Sequence, residues 1–507
     1  MRNFKKNDPE NNINRIRVKS SQNANSVYIF LLSSIIACLN ILYFDNYATS
    51  MTVISLEIVV LVYCFIKKDI TRYFGFYLIF LCLSFEFEGL VGIEQFYGFK
   101  DFRILGVNLG IIALLPVAFL AIFRGLKIIK IKREHPSLFS YCSIVVFISI
   151  TGLIFGLFQI LINDNNIQNM DYMLSSFIGI SYNMSVLPLL IILTFAYILS
   201  WEHEKILLLE EYLMAILIGV VVSMIVSLVT GTFGSYGGVY TLLVTNVVRY
   251  VPFMLLFPFY KKHKTTVTRQ AVIIFGIIGA VLVLLYNTTG KTIVLYALVP
   301  LGVLGLLWKR KKVLSVIFVL LLLPLIAVFA VQAIEHLSST SVLFNSKFNQ
   351  AMAITKFWET NWLQNMPASP RFRVVEFISI FYEYLNKPWF FIFGKGYMGT
   401  VTDHTGMLTE MFSEGAFSMN QWRNGTFYRV HETLNVLFLN NGLFGLLFYL
   451  YIIKSLINNF AKNPWILIGG FWFLMIYGFS VTMSAFGLAA LLLGYIDLNG
   501  KQEDVGK

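Results

Sequence analysis

Runs of about 20 predominantly apolar residues, the length that crosses a hydrocarbon core, recur from residue 27 to residue 496. Such a chain folds as helices within a bilayer, because only helices and closed barrels satisfy every backbone polar group away from water. Composition agrees: 57% of the residues are hydrophobic and 13% charged, against about 25% charged in soluble domains. A cytosolic enzyme, a secreted disulfide scaffold and a disordered chain are thereby excluded. The expected fold is an all-α polytopic bundle of about fourteen membrane helices. They are read at 27 to 44, 47 to 66, 73 to 88, 104 to 123, 139 to 162, 174 to 199, 206 to 229, 240 to 259, 270 to 287, 292 to 308, 313 to 333, 432 to 453, 464 to 481 and 484 to 497.

The formal net charge is +12, from 39 Lys+Arg against 27 Asp+Glu. Those bases sit in short connections between apolar runs. They read as the bias of Lys and Arg toward cytoplasmic loops, and no nucleic-acid partner is expected. Lys67, Lys68 and Arg72, then Arg124 to Arg133, Lys261 to Arg269, and Lys309 to Lys312 all fall on one side when the connections alternate. The acidic stretch at Glu202 and Glu204 is the exception. An even count puts both termini in the cytoplasm, with residues 1–26 and 498–507 as tails. The many later spans argue against a removable signal peptide. Cys38, Cys64, Cys82 and Cys142 lie inside apolar runs without metal-ligand spacing and read as packing residues.

One outward connection, residues 334–430, is far longer than the rest. Loops beyond about 12–15 residues are usually functional or disordered, and Phe357, Trp358, Trp362, Trp389, Phe390 and Phe391 argue for a folded one. Short helices folding back onto the membrane are expected, between the spans of 27–333 and those of 431–497.

Two stretches carry the most information: RFRVVEFISIFYEYLNKPWFFIFGKGYMG from Arg371, and HETLNVLFLNNGLFGLLFYLY from His431. Arg373 is followed by Phe377, Pro388, Gly394 and Gly396, and His431 by Gly442 and Gly445. The pattern resembles that of the O-antigen ligase and polymerase superfamily. There a large outward loop carries Arg, an aromatic four residues on, Pro and Gly-x-Gly, and a His-Asn opens the next helix ahead of Gly-Leu-x-Gly. This chain departs in three places: Glu432 stands where Asn is common, Phe377 where Trp is usual, and Lys291 in NTTGKT where an Arg follows Ser. Lysine supplies charge there but no bidentate fork.

The resemblance covers residues 370 to 453 directly. It implies a bundle similar to other glycosyltransferases with many membrane spans, at the periplasmic face of a bacterial inner membrane. The substrate it implies is an oligosaccharide on undecaprenyl diphosphate, handled with no metal or nucleotide cofactor, and a polysaccharide chain-length regulator is the implied partner. A polymerase joining repeat units into O-antigen or a related surface polysaccharide is the leading reading. Two rivals are a ligase that moves finished polymer onto lipid A-core, and a flippase for the same lipid-linked repeats.

The residues support such chemistry on their own terms. A basic side chain at membrane depth costs about 2.5–3.5 kcal/mol on insertion scales, so Arg249 and Lys291 need an anionic ligand or a route to the interface. A lipid diphosphate is an anion whose departure Arg and Lys stabilise. Its acceptor hydroxyl must lose a proton, the task suited to a histidine at neutral pH. The expectation is His431 as base, Glu432 as an orienting group, and Arg373, Lys291 and Arg249 around the diphosphate. Arg371 belongs to the same candidate set, although it lies two residues from Arg373 on a different helix side.

Plainer readings stand beside these. His431 is then an interfacial histidine, Glu432 a surface residue, Lys291 a turn residue, and Arg249 a snorkelling side chain. GTFGSYGG from Gly231 lacks the Gly-Lys-Ser/Thr ending of a phosphate loop and reads as a flexible turn. Glu86, Glu88 and Glu94, with Asp101, read as a solvated acidic loop in preference to a cation site.

Overall fold

The computed structural model describes residues 27–43, 46–84, 98–162, 177–236, 239–242, 245–260, 269–287, 289–309 and 311–317, then single positions between 339 and 352. From there it describes 358–397, 399–410, 417, 419–427, 430–477 and 480–500. Among these residues eight helices are long and apolar enough to cross a membrane, and nine spans result if the bent pair Leu109–Arg124 and Ile128–Glu134 is one. Four apolar helices are shorter: Val27–Leu42, Ile70–Leu83, Asn246–Phe259 and Pro464–Ile476. The protein is therefore a multi-pass helical membrane protein. The run at 313 to 333 begins as helix over 313–317, and the rest of it lies outside the described residues, as do Glu86, Glu88, Glu94, Phe357 and the connection at 163–173.

Helix Val481–Gly500 occupies the centre. It packs on helices Pro464–Ile476, Leu187–Trp201, Ile70–Leu83, Pro136–Ile162, Leu209–Thr230 and Asn246–Phe259. Helices Tyr47–Ile66 and Arg269–Tyr286 form the outside, with Leu56, Val59, Tyr63, Ile274 and Ile277 exposed, a surface that lipid tails accept.

The run at 240 to 259 takes a form other than the expected α-helix. Its first residues pair antiparallel, Val239–Leu242 against Phe233–Tyr236, so part of the glycine-rich stretch is itself a strand. Asn246–Phe259 is then a 3-10 helix containing Pro252 and Pro258, two residues that cannot donate to an α-helical ladder. At about 2.0 Å per residue its fourteen residues reach about 28 Å, close to a hydrocarbon thickness.

The exception in the charge pattern is structural. The Glu202 carboxylate accepts from the backbone N–H of Ile70 (2.9 Å) and Thr71 (2.9 Å) and from the Thr71 hydroxyl (2.8 Å). It caps helix Ile70–Leu83, where a negative charge meets the positive end of the helix dipole. Lys205 pairs with Asp69 at 3.2 Å, and Lys127 N–H donates to Ser200 Oγ at 3.0 Å. The connections at 67–72, 124–133 and 200–205 thus gather at one end of the bundle. Helices Gly290–Lys309 and Thr433–Asn459 start at the other end.

A strap ties the long loop to that second end. Gly442, at φ 57° and ψ −136°, interrupts helix Thr433–Asn459. Such a break leaves carbonyls short of helical donors. Those of Leu439 and Asn440 accept from Lys395 N–H (2.8 Å) and Gly396 N–H (2.9 Å), and Tyr397 N–H continues to the Gly152 carbonyl (2.9 Å). Gly396 has φ +72°, and a Cβ there would stand 2.1 Å from the Gly156 nitrogen. Pro388 opens the preceding helix, Pro388–Phe393, at a position where its missing N–H costs nothing. Gly396→Ala is expected to destabilise the protein by at least about 3 kcal/mol, since backbone strain and overpacking add. Gly106→Ala, at φ +80° with nothing within 4 Å, carries the strain alone, about 1–2 kcal/mol. Denaturation of both variants in detergent checks this, and equal losses would mean that the strap is not packed as described.

Candidate active site

Helix Ala368–Asn386 is the folded centre of the long loop. Ser369, Arg373 and Glu376 follow one another at helical spacings of four and three, so they share a face. That face meets the segment leading into helix Thr433–Asn459.

Glu376 is fully buried. Its Oε2 accepts from the His431 backbone N–H (2.8 Å) and from Asn435 Nδ2 (3.0 Å), while its Oε1 lies 2.6 Å from His431 Nδ1. An ionised carboxylate only accepts hydrogen bonds, so the proton of that last contact sits on Nδ1. The Nε2 of a neutral imidazole is then the acceptor. Phe372 stacks on the imidazole at 6.5 Å, and Phe417 meets it edge-on at 5.3 Å. Two rings and a buried carboxylate fix its plane.

Glu432 points to different partners. Its Oε1 lies 2.6 Å from Arg373 Nε and 3.2 Å from Lys291 Nζ. Lys291 also donates to the Met475 carbonyl, and Arg373 Nη1 donates to Ser369 Oγ at 2.7 Å. Arg249 acts electrostatically on Lys291, as does Arg373. Two cations from separate segments, Arg373 and Lys291, therefore share one carboxylate, and Arg249 from a third segment is near enough to act on Lys291. Glu432 reaches them from a left-handed backbone, φ 67° and ψ 143°, a conformation costing of order 1–3 kcal/mol in a residue with a Cβ.

The structure thus brings together His431, Glu432, Arg373, Lys291 and Arg249. Glu432, expected beside the imidazole, instead bridges Arg373 and Lys291, because the positive φ directs it away from its neighbour's ring. Arg371 stays outside the cluster: its Nη1 donates to the Gln364 carbonyl at 3.2 Å on an exposed surface. Sequence reasoning missed Glu376, Asn435 and Ser369. The signal for Glu376 was its place one turn beyond Arg373.

The aromatic of the motif serves packing, since Phe377 stacks on Phe438 at 5.3 Å. Behind it Lys395 is buried, bonded to Glu383 and to the Thr400 carbonyl. Burial holds its ammonium below the usual lysine range, against an upward pull from Glu383. Positive charge makes the cluster around Arg373 suited to an anion. Among the described residues the group fit for a metal ion is Glu134, His135 and His203, with ligand atoms within 4.8 Å of one another, at the opposite end of the bundle. Comparison of the chain with protein-family models, with curated proteins and with solved structures gives no match.

Side chains of Lys291 and Glu432 keep 20% exposure each, so solvent screens their attraction in part. A double-mutant cycle of Lys291→Ala and Glu432→Ala, read by unfolding in detergent, is expected to give a coupling of about 1–2 kcal/mol. Simple additivity would mean that the pair does not act as a unit.

Proposed function

We propose that the protein is a glycan polymerase that transfers a growing chain from its lipid diphosphate onto a hydroxyl of a new lipid-linked oligosaccharide unit. The observation that carries this reading is the His431–Glu376 pair directly beside the cations Arg373, Lys291 and Arg249. Nε2 of His431 takes the proton of the acceptor hydroxyl. The acceptor oxygen then forms a bond to the anomeric carbon of the donor as the bond from that carbon to the diphosphate oxygen breaks. Developing negative charge on the leaving diphosphate falls to the three cations, of which Arg373 and Lys291 contact the Glu432 carboxylate. Direct displacement of this kind inverts the anomeric centre. Glu376 stabilises the imidazolium that forms and keeps the ring turned for the transfer. In this reading the site faces the periplasm of a bacterial inner membrane, where the repeat units are joined into O-antigen or a related surface polysaccharide.

The test uses purified full-length protein in nanodiscs with a single lipid-linked repeat unit and separates products by size. A ladder of multiples is expected, reduced about 10²–10⁴-fold by His431→Ala. Glu376→Gln, which keeps the shape but not the charge, is expected to lower turnover more than acceptor KM. An undiminished ladder from His431→Ala would remove the base from the mechanism. Transfer only when lipid A-core is supplied would make the enzyme a ligase.

A further inference from the structure

An apolar groove of about 330 Å³ lies between helix Ile128–Glu134, the first turns of helix Pro136–Ile162 and the last turns of helix Leu187–Trp201. Its walls include Ile128, Ile131, Phe139, Ser143, Ile192 and Phe195. This is the end of the bundle away from His431, since the far end of the same Pro136 helix meets the strap at Gly152 and Gly156. Helix Ile128–Glu134 is bent by 101° from the helix before it, with Ile128 and Ile129 exposed. A short helix with that turn and exposed Ile128 and Ile129 suits a position along a bilayer surface.

Charge at the mouth of the groove is one-sided. Residues 124–134 hold Arg124, Lys127, Lys130, Lys132 and Arg133 against Glu134 alone. Glu134 is met by Lys130 at 3.9 Å and by Arg133 at 4.0 Å. Arg124 and Lys127 sit over the Trp201 ring at 4.0 and 4.1 Å. Lys132 is exposed and has no carboxylate partner among the described residues; its ammonium stands 5.7 Å from the ring of Phe139, a wall of the groove. It also follows Ile128, another wall residue, by one helical turn, so the two share a side. A cation at the rim of an apolar groove between membrane helices matches an acidic headgroup above an acyl chain.

We propose that this groove binds an anionic phospholipid of the surrounding bilayer, with an acyl chain along Ile131, Phe139 and Ile192 and the phosphate on Lys132. The inference does not rest on the glycan reading, because the groove shares no residue with the cluster at His431.

The experiment incubates the delipidated full-length protein with mixed micelles holding equal phosphatidylglycerol and phosphatidylcholine, and counts retained lipid by native mass spectrometry. Phosphatidylglycerol is expected to be preferred, and Lys132→Glu to lower that preference at least about fivefold. Lys312→Ala, which removes a base from another connection, is expected to leave it unchanged. Ser143→Trp, which fills the groove without altering charge, is expected to reduce retention of both lipids. Equal retention of the two lipids by the native protein, or an equal effect of Lys132→Glu and Lys312→Ala, would overturn the proposal. So would full retention by Ser143→Trp in a protein whose unfolding temperature is unchanged.

Discussion

The buried carboxylate of Glu376 is the contact on which the end of the bundle opposite the connections at 67–72 and 124–133 depends. Removing a charged group from water costs several kcal/mol unless its acceptor sites are filled. Here they are filled by the N–H and Nδ1 of His431 and by Asn435. All three donors come from the entry to helix Thr433–Asn459, whereas Glu376 comes from the loop helix more than fifty residues earlier. The same bonds therefore dock the loop, orient the imidazole and place the Arg373 face against Lys291. Loss of any one donor leaves a buried charge short of partners, which makes this junction stiff by comparison with a surface loop.

The charges around Glu432 follow from that docking. Arg373 arrives with the loop helix, Lys291 with the first turn of a spanning helix, and Arg249 with the proline-containing 3-10 helix. Brought together without a counterion they would repel, so the carboxylate at Glu432, in contact with Arg373 and Lys291, helps to hold the cluster together. Its strained backbone indicates that surrounding packing, and not local preference, keeps it there.

Much of this was legible in the chain. Apolar runs marked the long helices among the described residues, and the basic connections at 67–72 and 124–133 lie at one end. The spacing of Arg373, His431 and the glycines pointed to the two segments that meet around Glu376 and Glu432. The misses have physical causes. Periodicity does not distinguish a 3-10 helix from an α-helix when Pro252 and Pro258 lie in an apolar run, so the form of 246–259 was hidden. Glu202 was read as a charge in the wrong place because a cap on a distant helix leaves no local mark. Glu432 was assigned to its sequence neighbour, yet a positive φ at a non-glycine residue cannot be read from composition, and that angle sends its carboxylate to Arg373 and Lys291. Glu376 was missed because a glutamate on a loop helix shows its role only through His431 and Asn435, more than fifty residues away.

The strap across the Gly442 break also sets an order of events during biosynthesis. Lys395 and Gly396 leave the ribosome before Leu439 and Asn440, the carbonyls that receive their N–H groups. At about 5–20 residues per second, the loop waits on the order of seconds for its acceptor. The acceptor must itself enter the bilayer before the break can open toward the strap. The donors to Glu376, from His431 and Asn435, sit at the start of that same late segment. A nascent chain stalled before residue 431 therefore carries the loop helix without the donors from His431 and Asn435 that Glu376 accepts from.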